Sequence, residues 1–168
     1  MQQFRCYGDD RNKGFCVHCG GPSETVDHVP SKVLLDEPYP ANLMAASACR
    51  KCNNDFSVDE EYLACLLECV ISGSTSPEQL HRAKIARILR GNSSLSVRLQ
   101  RARTDGVKGS IWTVENDRVN RVVLKLARCH AAFELNEPQL HDPSHLKIKP
   151  LPLMMADERE AFEHDDEA

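Results

Sequence analysis

A chain of 168 residues with 41% apolar content can bury one core of ordinary size, with a small appendage at most. No apolar run approaches the 18 or more residues of a membrane span, and Met1 to Tyr7 offers no secretory signal. These absences lead us to expect no helical membrane span and a place in the cytoplasm, where the eight cysteines stay reduced and read as metal ligands or small buried residues. The net charge of −4 argues weakly against a nucleic-acid partner, but the charge is segregated. Between His81 and His130 lie twelve of the 21 basic residues against three acids, whereas residues 157–168 hold seven acids and one arginine. An acidic end of that kind is usually a solvated, frayed tail, and it hides a basic middle.

In chain order, residues 1–13 read as a loose arm, rich in turn-formers. Residues 15–56 are rich in Gly, Pro, Asn and Cys without a helical period, which suits short strands and loops held by a metal. Ser57-Val-Asp-Glu60 is a capping box predicting a helix to about Ile71, with Leu63, Leu66, Leu67 and Val70 as its apolar face. Ser76-Pro77 predicts the start of a second helix, stopped by Gly91. A shorter helix is expected over residues 95–103 and a strand over Ile111 to Val114. Asp117 is placed to cap a third long helix running to about Leu135, with Val119, Val122, Val123, Leu126 and Phe133 turned inward. Residues 143–152 look extended.

Two hooks, Cys16-x-x-Cys19 and Cys49-x-x-Cys52, are separated by 29 residues. Each tight turn places two thiolates on one side, so together they predict a closed, structural four-sulfur zinc site. Zinc binding there contributes on the order of 10 kcal/mol, enough to fold a segment with no core of its own. His18, inside the first hook, is the one other side chain there able to replace a cysteine. Cys6, Cys65, Cys69 and Cys129 have no partner at ligand spacing and are expected to be buried small residues.

Between and after the hooks stand Asp27-His28-Val29-Pro30, Asn42-Leu43 and Asn53-Asn54. Phosphodiester hydrolysis needs a positioned water, a base and a cation for the charge that builds up on phosphate. His28 titrates in the range of a base, and Asp27 is a hard oxygen ligand suited to Mg2+ or Mn2+. Adjacent strand residues point opposite ways, so the pair needs a distorted turn to serve one phosphate.

The order and spacing of these residues resemble the HNH endonuclease family in its zinc-ribbon-stapled form, over roughly 45 residues. The resemblance implies a ββα-metal (treble-clef-like) fold, with a two-stranded ribbon closed by a helix. It also implies His28 as general base, Asn42 orienting it, and Asp27 and Asn53 holding the catalytic divalent ion. The chain departs from many relatives at Thr25, where they have a second acid, and at Phe56, where they have Lys or His.

The third long helix carries Arg118, Arg121, Lys125 and Arg128 at spacings of three, four and three, and the second carries Arg82 and Arg87. Such stripes suit a DNA phosphate backbone. The expectation is therefore an α+β protein: an arm (1–13), a zinc-stapled ββα-metal module (14–72), a basic, mainly helical region (73–150) and an acidic tail (151–168). Its expected activity is divalent-metal-dependent DNA cleavage, with a homodimer as one way for a single site to cut both strands. The alternatives are a zinc-ribbon DNA-binding module without catalysis and a structural zinc scaffold for protein partners.

Overall fold

A computed structural model describes residues 13–107 and 109–164. The expected arm therefore lies outside the described residues apart from Lys13, and so does Cys6.

Strands β1 (Thr25–Val29) and β2 (Met44–Ala48) pair antiparallel, with Asp27 opposite Ala46 and His28 opposite Ala45. The β-branched residues of β1 favour extended backbone. The small side chains of β2 leave the ribbon thin, with Ala45, Ala46 and Ala48 buried. Helix α1 (Arg50–Ser72) follows directly. It begins seven residues before the expected cap at Ser57, because Cys49 supplies the cap: its sulfur accepts the Cys52 amide. Ser57 instead lies inside the helix and donates to the Asn54 carbonyl at 2.7 Å. The helix ends at Gly73, whose left-handed φ of 62° a side chain would disfavour. Leu63 and Leu66 are buried as expected, but Leu67 and Val70 are exposed, and Asp59, Glu60 and Glu68 share the buried face.

Helix α2 (Ala83–Gly91) starts later than Ser76-Pro77 predicted. The buried Glu68 carboxylate accepts the His81 and Arg82 amides and directs the chain into α2 from there, while the Ser76 hydroxyl binds Glu78. Helix α3 (Ser93–Ala102), capped by Asn92, lies close to expectation. The strand expected near Ile111 is β4 (Gly109–Trp112), paired with β3 (Arg103–Gly106), a partner the sequence did not announce. Helix α4 (Asn116–Glu134) matches its expected span and packs against α1 and β2. Part of the acidic tail is ordered as α5 (Ala156–His164), not frayed, with Lys149 paired to Glu158. No helix among the described residues is long and apolar enough to cross a membrane.

Two apolar clusters result. One joins α1, α2 and α3 around Tyr62, Cys65, Leu66, Cys69, Ile85, Leu89 and Leu99, with Trp112 packed against it. The other joins the first hook, the ribbon and α4 through Val17, Val29, Ala46, Cys129 and Ala132. Between α1, β1 and α4 lies a layer of buried charge.

Candidate metal centre and the two faces of the ribbon

The first hook is a knuckle: the Cys16 amide donates to the Gly21 carbonyl and the Gly20 amide to the Cys16 carbonyl. Gly20 takes the positive φ of 73° that this turn needs. The second hook is the first turn of α1. The four sulfurs of Cys16, Cys19, Cys49 and Cys52 all lie within 4.8 Å of one another, with Cys19 and Cys49 at 3.9 Å. Tetrahedral zinc with bonds of about 2.3 Å sets its sulfurs about 3.8 Å apart. The four cysteines could therefore hold one zinc ion. The Cys52 amide holds the Cys49 thiol down at about 7, whereas burial pushes Cys16 and Cys52 up. The closed set leaves no coordination position open for chemistry.

From this staple β1 runs with regular pairing and no distortion, so its side chains alternate. His28 is half-buried on one face. Burial and the nearby Lys32 charge lower its pKa, with Asp27 opposing, which favours the neutral imidazole. In the first turn of α1, the Asn53 side-chain amide donates to the Val26 carbonyl at 3.4 Å and to Thr25 Oγ1 at 3.5 Å. Asn42 is exposed in the turn before β2, beyond the end of the ribbon where Val29 faces Met44.

Asp27 points the other way and is only 3% exposed. Its Oδ1 accepts Lys125 Nζ at 2.7 Å, and its Oδ2 lies 3.1 Å from His18 Nε2. Lys125 also binds Glu60. The expectation that Asp27 and His28 serve one phosphate therefore meets a regular strand that separates them. A divalent ion shared by Asp27 and Asn53 does not fit this arrangement, since the Asp27 carboxylate turns into the buried cluster with His18 and Lys125 while the Asn53 side chain is held by the Val26 carbonyl and Thr25.

Lys125 is also not a DNA contact: its side chain is fully buried. At 100° per residue it sits about 60° from Val122, inside the buried face and not opposite it. The other basic residues mostly face the protein's own acceptors. Arg118 and Arg121 converge on Asp59, Arg128 binds Asp142 and the His141 carbonyl, and Arg82 binds Asp36 and the Val33 and Leu35 carbonyls. Arg87 is exposed on α2.

The sequence reading missed the roles of Glu60, His18 and Cys129. Glu60 stands three residues before Leu63 on the apolar face, and Cys129 four after Lys125, so helical spacing carried a signal for both. The hook marks His18 as a possible ligand, but nothing local announces its contact with Asp27, and its ring packs edge-on against Phe56 at 4.9 Å. Comparison with protein-family models, with curated proteins and with solved structures finds no match to this chain.

Proposed function

We propose that this protein is an endonuclease that hydrolyses DNA phosphodiester bonds, with His28 as the general base. One observation carries the reading. A half-buried imidazole favoured in its neutral form sits on a ribbon whose hooks bring four cysteines together, and the asparagine in the first turn of the closing helix binds the backbone of the same strand. In this reading His28 takes a proton from the attacking water, with Lys32 as the cation that acts most strongly on the imidazole. Asn53 fixes the helix start to the first residues of β1, and Asn42 lies beyond the other end of the ribbon, the end nearer His28. Mg2+ or Mn2+ would supply the cation for the charge that builds up on phosphate, and Asp27, turned toward His18 and Lys125, would not hold it.

A second reading is a zinc module that binds DNA without cutting it. The Lys125–Asp27–Glu60 cluster favours it, because an ammonium group occupies the carboxylate expected for a catalytic ion. The self-paired arginines favour a structural scaffold for protein partners in the same way. Plasmid nicking with Mg2+, Mn2+ or chelator, comparing wild type with His28→Ala, separates the readings. Loss of cleavage in the variant supports the nuclease. DNA retardation by both proteins without cleavage supports the binding module, and indifference to DNA supports the scaffold.

A further inference from the structure

We propose that His18, Asp27 and Cys129 form a second metal site, which takes one zinc ion through His18 Nε2, Asp27 Oδ2 and the Cys129 sulfur. These atoms converge from the first hook, β1 and α4 and lie within 4.8 Å of one another. His18 Nε2 is 3.1 Å from Asp27 Oδ2 and 3.8 Å from Cys129 Sγ. Tetrahedral zinc with bonds of about 2.0–2.3 Å needs ligand separations of about 3.3–3.6 Å, so small shifts seat the ion.

All three residues are buried, at 6%, 3% and 0% exposure. The imidazole is engaged through one atom only, because His18 Nδ1 is buried with no hydrogen-bond partner. One nitrogen cannot satisfy a carboxylate and a sulfur equally, whereas an ion at their common focus satisfies all three.

Asp27 is prepared for this task. Lys125 holds Oδ1, with Glu60 behind it, and Oδ2 is left facing His18. Such outer contacts orient a ligating carboxylate. Charge points the same way. Asp27 and Glu60 supply two negative charges and Lys125 one positive, so a dication bound by the Cys129 thiolate brings the cluster to neutrality. Burial strongly favours a neutral cluster. Binding exchanges the sulfur–hydrogen bond for a sulfur–zinc bond, and the proton leaves to solvent without any redox change. A nitrogen, oxygen and sulfur set suits zinc and not magnesium, which takes oxygen ligands. A recess of about 290 Å³ lined in part by His18, Phe56, Lys125 and Arg128 adjoins the cluster.

The test is metal stoichiometry. Full-length protein purified without chelator should carry two zinc ions per chain by native mass spectrometry and elemental analysis. Cys129→Ala and His18→Asn should each reduce this to one and leave the four-cysteine ion in place. Cobalt titration should show two phases in wild type: a strong four-thiolate band, then a weaker single-thiolate band that Cys129→Ala abolishes. One zinc per chain in wild type overturns the proposal, and so does a second zinc that survives both substitutions. If neither variant folds, the cobalt titration of wild type decides, and a single phase overturns it.

Discussion

Asp27 and His28 are neighbours in the chain and opposites in environment. One face of β1 carries a half-open imidazole favoured in its neutral form, and the other buries a carboxylate among His18, Lys125, Glu60 and Cys129. The contrast teaches that a two-residue signature on a strand is divided by the pleat unless the backbone breaks. On a regular ribbon, Asp-His supplies one group for chemistry and one for architecture. Four predictions, each tied to one region, test that division.

The largest effect comes from the staple that both faces share. Stripping zinc with a strong chelator, or Cys49→Ser, should unfold the segment from the first hook through the start of α1, removing stabilisation on the order of 10 kcal/mol. Circular dichroism and a thermal scan should show loss of cooperative melting. Unchanged melting after verified zinc removal would mean that the four sulfurs do not staple the ribbon.

The buried face comes next. Lys125→Met leaves Asp27 and Glu60 without their ammonium, and breaking a buried pair in this way costs about 3–5 kcal/mol. Adding Asp27→Asn and Glu60→Gln should recover much of that loss, since the uncompensated charges go too. Urea titration reads both steps, and a cost below about 1 kcal/mol for Lys125→Met would place Lys125 at the surface.

A third buried carboxylate sharpens the comparison, because neutral donors do for Glu68 what Lys125 does for Asp27. Burial opposes its ionisation, but the Ser72 hydroxyl and the Arg82 and His81 amides outweigh this and hold its pKa below the ordinary carboxylate value. Its contribution is therefore fully present above about pH 4.5 and lost as pH falls through the depressed folded value. Glu68→Ala should cost about 2 kcal/mol near neutral pH and flatten the acid limb of stability, measured by urea titration at several pH values. An acid limb identical to wild type would assign the acid sensitivity to other groups.

These contrasts also mark how far the sequence could be read. The hooks were legible because Cys-x-x-Cys spacing is itself a geometric statement, and α4 because its period persists for five turns. The start of α1 was not, because a capping box at Ser57 competed with a thiol cap at Cys49 that only the folded hook presents. The basic stripe on α4 misled because residue type suggested solvent, whereas 100° per residue puts Lys125 beside Val122. Its partners, Asp27 and Glu60, lie 98 and 65 residues away, and no local pattern encodes such a pairing.

The smallest effect on stability belongs to the exposed face, and it is the most informative. His28 packs only half-buried on β1, opposite an alanine, so His28→Ala should cost under about 1 kcal/mol. If His28 is the base, the same change should lower nicking by about 100-fold or more, in line with the loss of a positioned proton acceptor. A large fall in rate at nearly constant stability separates a chemical role from a packing one. A stability loss comparable to that of Lys125→Met would instead make both faces of β1 architectural and leave the ribbon with no base at residue 28.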